Sequence, residues 1–377
     1  MTARLKLGMV GGGEGAFIGA VHRIAARLDG QWDLVAGALS SDPARAHASA
    51  QALGLAADRS YDSFAQMATA EAARDDGIDA VAIVTPNHMH VPAALAFLRA
   101  GIHVICDKPL ASQLDDALEL EQALAVSDKL FFLTHNYSGY PLIRQARDMV
   151  ANGDLGQLRL VHVEYVQDWL TEAATGKQAE WRTDPARSGA GGAIGDIGTH
   201  AWQLAEFVTG QSPRALAADL SSFVEGRAVD DNAHVMMRYA SGAKGMLWAS
   251  QVAVGNENGL RLRLHGDKSG LEWAQENPNQ MTFTRFGEPK QILTRGGAGG
   301  SPAGLATTRI PAGHPEGYLE GFATLYNEAA QAIRAHAQTG STEGFVLPGL
   351  ADGLSGMRFI DACVRSSQAD GAWVDLG

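Results

Sequence analysis

The chain has 377 residues, enough for two domains that each bury a core, and its 46% hydrophobic and 19% charged residues describe a globular rather than a disordered or fibrous protein. A net charge of −12 without a basic cluster argues against a nucleic-acid partner, whose phosphates the chain would repel. Cys106 and Cys363 lie far apart without metal-type spacing, no apolar stretch approaches the roughly 20 residues that span a bilayer, and no basic-then-apolar leader opens the chain; a cytoplasmic protein with free thiols and no membrane partner is expected.

The first third alternates apolar strands with amphipathic helices. Strands are predicted over residues 5–10, 33–39, 78–84, 103–107 and 130–134, and helices over 18–28, 43–53, 63–73, 92–100 and about 112–125. Residues 18–28 place Val21, Ile24, Ala25 and Leu28 on one face, Pro43 suits a first helical turn, and Gly101 suits a helix C-terminus. The β-branched run at 78–84 reads as a buried parallel strand. This rhythm predicts an α/β fold with a doubly wound parallel sheet over residues 1–135.

Near Asn136 the rhythm changes. A helix at 141–151 and a strand at 158–166 are followed by a glycine-rich stretch at 188–198 and a helix at 200–207. Strands at 215–223, 233–239, 243–254, 260–266 and 270–274, joined by turns such as Ser241-Gly242, predict a large, open, mainly antiparallel sheet. Residues 288–312 read as a long loop, and 317–337 and 347–366 as closing helices. Residues 136–377 are therefore expected to form a second α/β domain, for substrate binding and oligomerisation.

Between the first strand and helix runs Gly11-Gly12-Gly13-Glu14-Gly15-Ala16-Phe17-Ile18-Gly19. Glycine lets a backbone turn tightly and approach a pyrophosphate, while the helix N-terminus offers unpaired N–H groups. The loop is a stretched relative of G-x-G-x-x-G, and Gly11, Gly13, Phe17 and Ile18 are its candidate dinucleotide contacts. At the end of the second strand, Ser40 and Ser41 stand where a ribose-binding acid is expected, with Arg45 shortly after. Either serine suits a ribose or a phosphate, and Arg45 suits a 2′-phosphate or a solvated helix face. NAD is favoured, with NADP left open.

Thr85-Pro86-Asn87-His88 follows the 78–84 strand, and Cys106-Asp107-Lys108-Pro109 follows the 103–107 strand. With the glycine loop and Gly191-Gly192-Ala193-Ile194-Gly195-Asp196-Ile197-Gly198-Thr199-His200, these motifs resemble the glucose–fructose oxidoreductase/inositol dehydrogenase/rhizopine catabolism (Gfo/Idh/MocA) family over nearly the whole chain. The family usually has Glu-Lys-Pro where Asp107 stands here. The resemblance implies an N-terminal Rossmann domain and a C-terminal open sheet that often joins subunits, so a homo-oligomer, dimer or tetramer, is expected. Asp168, Trp181-Arg182, Asp230-Asp231 and the segment Gly313-His314-Pro315-Glu316-Gly317 look like features of branches acting on sugars and inositols. The substrate implied is a small sugar or cyclic polyol: scyllo-inositol or L-glucose first, levoglucosan close behind.

Oxidising a C–OH group needs a hydride acceptor, which the cofactor supplies, and a proton acceptor from the protein. Lys108 lies past a parallel strand, where open α/β sheets present ligands. Asp196 and His200, four apart, share a face if their segment is helical. His200 is expected to take the proton while Lys108 hydrogen-bonds the same oxygen, or the reverse, with Asp196 on a neighbouring hydroxyl. Read separately, Asp196 is a helix cap and His200 a packed helix residue. Further cofactor candidates are Thr85, Asn87, His90, Asp107, Asn136, Trp181 and Arg182; Trp181 reads equally as core. Substrate candidates are Tyr165, Gln167, Arg182 and His314, with Tyr165 and Gln167 on one strand face. The scattered histidines make no metal-binding pair, so no metal is expected. Two rival readings remain: a glycosidase that uses NAD transiently, and a non-catalytic NAD(P)-sensing regulator.

Overall fold

A computed structural model of the chain describes residues 3–173 and 189–376. It divides into two compact units, Met1–Asn136 with Phe322–Leu354, and Tyr137–Gly321 with Ser355–Gly377.

The first unit holds a parallel sheet of β1 (Leu5–Gly11), β2 (Trp32–Ala38), β3 (Ala80–Val84), β4 (His103–Cys106) and β5 (Phe131–Leu133), in the order β2-β1-β3-β4-β5. Between them run α1 (Phe17–Leu28), α2 (Pro43–Ala52), α3 (Phe64–Ala72), α4 (His90–Arg99) and α5 (Leu114–Ala125). Every residue of β3 is buried, as a strand covered on both faces requires. Helix α2 starts with Pro43 in its first turn and with the Asp42 carboxylate accepting from Arg45 N at 2.8 Å. The winding reverses between β1 and β3, and the crevice beyond their carboxyl ends is where such sheets hold ligands.

The second unit carries a nine-stranded sheet. Its strands are β6 (Leu158–Val166), β7 (Pro213–Ser221), β8 (Asn232–Tyr239), β9 (Lys244–Ser250), β10 (Gly259–Gly266), β11 (Ser269–Ala274), β12 (Gln280–Arg285), β13 (Gln291–Thr294) and β14 (Val374–Asp375). They lie in the order β13-β12-β11-β10-β6-β9-β8-β7-β14; β6 and β9 pair in parallel, and the other pairs are antiparallel. Helix α6 (Pro141–Ala151) packs on β11, and α7 (Thr199–Thr209) packs on β6, β9 and β10. Alternating residues such as Val161, Val163, Leu262, Leu264, Leu271 and Trp273 are buried. Trp202 of α7 stacks on Phe359 with ring centroids 4.4 Å apart.

The loop expected over 288–312 is not structureless. It contains β13 and a short helix α8 (Pro302–Ala306). The signal was weak because β13 is a largely exposed strand at the sheet edge, without an apolar face. Polar contacts organise this region instead: the buried Arg295 pairs with Glu316 at 2.8 Å and donates to Asn279 Oδ1, Ile310 O and Pro311 O. Two long helices, α9 (Tyr318–Thr339) and α10 (Leu350–Gln368), precede β14. Among the described residues no helix is long and apolar enough to cross a membrane.

Candidate active site

In the first unit the glycine loop is built by contacts that side chains would block. Gly11, Gly12 and Gly15 have φ of 77°, 71° and 78°, a region that favours glycine. A Cβ on Gly19 would lie on Gly12 Cα and 2.5 Å from Gly12 O, so α1 can meet the loop only through glycine at both places. A Cβ on Gly13 would lie 2.7 Å from Leu39 O. The sequence motif points to Gly11 and Gly13; the closest approach is made by Gly12 and Gly19. Helix α1 has no side-chain cap at its N-terminus, the end of a helix that favours an anion. Phe17 is exposed and Ile18 half-buried at this helix start, and Arg23 reaches back to Gly12 O at 2.5 Å.

At the end of β2, Ser40 Oγ accepts from Asp42 N at 3.1 Å, while Ser41 and Arg45 are exposed. Beyond β3 and β5, Thr85 Oγ1 and Asn136 Nδ2 are buried and have no hydrogen-bond partner among the described residues. Asn87 is buried beside Thr85. Orphaned buried polar atoms at strand ends, with Thr85 beside Gly11 of a cradle that only glycine permits, fit the amide and phosphate groups of a dinucleotide. His90 differs from these: it is buried, with Nδ1 2.7 Å from Pro109 O and Nε2 2.9 Å from Thr85 O. It therefore ties the turns after β3 and β4 to each other.

Lys108 is half-buried in the second of these turns. Asp107 Oδ1 accepts from Lys108 N at 3.0 Å and from Thr134 Oγ1 at 2.9 Å. Burial disfavours the Asp107 charge, but the His22 ring 3.8 Å away, with Lys108 and His90, holds its carboxyl well below the ordinary carboxylate range. His22 in turn lies 2.8 Å from Tyr326 Oη. Burial, with Lys108 nearby, pushes the His135 ring down to about 3. A neutral imidazole and a fixed carboxylate thus flank the lysine's turn. Sequence reasoning missed His22, because nothing local marks a helix histidine as facing a residue 85 positions later in the chain.

In the second unit Asp196 lies in a π-helical turn, Ile194–Gly198, and His200 in the first turn of α7. Single π turns inside helices recur at functional sites. Asp196 is the only residue from 191 to 200 that is not buried, and Gln251 Nε2 donates to its Oδ2 at 2.9 Å. His200 is buried and meets the Tyr137 ring edge-on at 4.9 Å between centroids, with Tyr165 at 6.0 Å. A polar chain runs on from these rings. Tyr137 and Tyr165 hydroxyls are 2.6 Å apart, and Tyr165 Oη and Gln167 Nε2 each donate to Asn258 Oδ1 at 2.8 Å. Burial raises the pKa of both tyrosines, so both stay protonated at neutral pH. Asn258 and Gln251 come from elements remote in sequence and carried no motif.

The remaining candidates separate. Asp168 accepts from Gly255 N at 2.9 Å and so fixes a turn. His314 is exposed on the loop that Arg295 and Glu316 organise. Trp181 and Arg182 lie outside the described residues. The glycines of the 191–198 stretch mostly approach protein: a Cβ on Gly192 would fall on Asp230 O, and one on Gly198 would lie 2.8 Å from Ile194 Cδ1. Among the described residues no group of three or more His, Cys, Asp or Glu side chains could hold a metal ion.

A doubly wound parallel sheet with this cradle defines an NAD-binding Rossmann domain, and residues 5–135 match the oxidoreductase family with an NAD-binding Rossmann fold. Residues 143–272 match the GFO/IDH/MocA C-terminal domain, and the chain belongs to the Gfo/Idh/MocA family of oxidoreductases. It is similar to the crystal structure of an oxidoreductase from Sinorhizobium meliloti, with 56% identity, a TM-score of 0.91, and coverage of 99% of this chain and 100% of that one. An inositol dehydrogenase homolog from Azotobacter vinelandii, complexed with NADH and myo-inositol, is 37% identical with a TM-score of 0.94, covering 100% of this chain and 98% of that one. The levoglucosan dehydrogenase of Pseudarthrobacter phenanthrenivorans is 28% identical over 398 residues, which is 99% of this chain and 98% of that protein.

Proposed function

We propose that this oxidoreductase is an NAD-dependent dehydrogenase acting on a secondary or anomeric hydroxyl of an uncharged cyclic polyol or sugar, with scyllo-inositol or L-glucose the first candidates. The observation that carries this reading is the neutral chain Tyr137–Tyr165–Asn258–Gln167 beside His200, with Gln251 on Asp196. Its tyrosines, amides and single carboxylate suit hydroxyl groups. The inositol dehydrogenase homolog supports the same substrate class.

The Gly11–Gly15 loop and the start of α1 would hold the pyrophosphate, with Thr85 and Asn136 as further contacts. Bound NAD supplies the hydride acceptor. His200 takes the hydroxyl proton, Lys108 hydrogen-bonds the same oxygen, and Asp196 binds the neighbouring hydroxyl and fixes the ring geometry. Gln251 orients the Asp196 carboxylate, and the two tyrosine rings limit the rotation of His200. Leu160, Met236 and Met246, all exposed on the sheet, support a homo-oligomer formed through that face.

The test is NADH formation with inositols, aldoses and levoglucosan, repeated with NADP. Net NADH from at least one cyclic polyol is expected. Lys108→Ala and His200→Ala should each lower kcat about 100- to 10,000-fold while NAD affinity stays within a few-fold. Bond cleavage in a glycoside without net NADH would replace this reading with that of a glycosidase.

A further inference from the structure

Asp230 lies in the loop before β8, and the reaction scheme above gives it no task. It is buried, and it grips the start of the glycine-rich segment at three consecutive backbone N–H groups. Its Oδ1 accepts from Gly192 N at 2.6 Å, its Oδ2 from Ile194 N at 2.8 Å, and its carbonyl oxygen from Ala193 N at 2.9 Å. Gly192 is glycine because a Cβ there would fall on the Asp230 carbonyl oxygen and lie 3.0 Å from the Asp230 carbonyl carbon. Gly192 O then accepts from Asp196 N at 2.9 Å, and the π turn that begins at Ile194 leads directly into His200. One carboxylate therefore anchors the N-terminal end of the turn from which Asp196 projects.

We propose that Asp230 is a positioning residue of this enzyme: as a carboxylate it fixes the Gly192–Ile194 turn, and through it the placement of Asp196 and His200, and protonation releases that hold. The inference rests on the assignment of Asp196 and His200 to the reaction. A carboxylate offers an acceptor to each of two N–H donors; a carboxylic acid keeps one good acceptor and adds a proton for which the backbone donors provide no partner. Burial pushes the Asp230 carboxyl up to about 6, against the pull of the backbone N–H groups and with the help of Asp231, so it changes charge close to physiological pH. Among the described residues, Asp231, Cys363 and the glycine segment face it. Asp231 is paired with Arg227 at 3.1 Å, the buried Cys363 thiol faces it from α10, and the glycine segment presents only backbone.

The experiment combines a variant with an amide readout. Asp230→Asn places an NH2 against one of the two backbone donors and mimics the protonated acid at every pH. Misplacement of a reacting group by about 1 Å costs on the order of 100-fold, so the variant should lose about 10- to 100-fold in kcat, keep its KM for NAD, and lose the Asp230 contribution to the fall of kcat below about pH 6. In the wild-type protein, hydrogen exchange at the Gly192 and Ile194 amides, corrected for intrinsic rate, should lose protection between pH 7.5 and 5.5 relative to Ala193, whose acceptor does not titrate (those two pH values being about 1.5 units above and about half a unit below the midpoint). Protection that keeps pace with Ala193, or an Asp230→Asn enzyme within twofold of wild type at neutral pH, overturns the proposal. If the variant does not fold, the wild-type amides decide alone. That readout needs no substrate, so it stands apart from the assignment of Asp196 and His200, which fails separately if their own variants stay active.

Discussion

Gly19→Ala puts the cofactor cradle under direct test. Gly19 is in the first turn of α1, where helix propensity alone favours alanine over glycine by about 1 kcal/mol. The new Cβ would lie on Gly12 Cα, 2.5 Å from Gly12 O and 2.8 Å from Gly12 C. All three are backbone atoms, which cannot turn aside as a flexible side chain does. Overpacking of this kind costs about 1–3 kcal/mol, so a net loss of up to about 2 kcal/mol is expected after the propensity gain. For a domain of this size that corresponds to a fall in Tm of up to about 8 °C. The same displacement moves the loop that binds the pyrophosphate, and NAD affinity should drop at least about tenfold, or about 1.4 kcal/mol. Gly30→Ala is the control: Gly30 has φ of 64° and nothing within 4 Å of its would-be Cβ, so strain lowers Tm without touching NAD binding. Calorimetric melting and NAD titration of both variants check this. A Gly19→Ala protein with raised Tm and unchanged NAD affinity refutes the reasoning.

Asn258→Leu removes the oxygen that accepts from both Tyr165 and Gln167, leaving two donors without their acceptor at about 1–3 kcal/mol each; steady-state kinetics should show KM for the polyol raised about tenfold or more, with KM for NAD unchanged. His135 is held neutral in the native state, its pKa depressed by burial to about 3 from the ordinary histidine value of 6.5. Its contribution to stability is therefore present above about pH 6.5 and is lost as pH falls toward 3, at up to about 1.4 kcal/mol per pH unit. Denaturant melts from pH 7 downward should be less steep in pH for His135→Gln than for wild type (the starting pH being about half a unit above the ordinary histidine value).

Much of the first unit was legible because its signals are local. A strand, a glycine turn and a helix follow one another within the first 28 residues, and the β-branched run of β3 announces burial on both faces. The motif at Asp107-Lys108-Pro109 lies directly after β4, and it singled out Lys108 only in company with the other family motifs. What stayed hidden depends on contacts across long stretches of chain. Asn258 joins Tyr165 and Gln167 from the turn before β10, Gln251 reaches Asp196 from beyond β9, and Asp230 holds Gly192 from before β8. The glycines of 191–198 suggested close approach to a ligand, whereas Gly192 is required by the Asp230 backbone. The return of Phe322–Leu354 to the first unit leaves no mark in helical periodicity, because α9 and α10 run through both boundaries without a break. Glu316 was visible only as part of a motif; its buried pairing with Arg295 depends on a strand too polar to be predicted.

The most direct measurement follows a label from the substrate's reacting carbon. A polyol that the enzyme oxidises is supplied with deuterium on that carbon, and the released NADH is analysed by mass. Deuterium on the nicotinamide of the product, at a turnover slower than with protium and lowered at least about 100-fold in Lys108→Ala, is the predicted result. Deuterium washed into solvent, or transfer that proceeds undiminished without Lys108, contradicts the account.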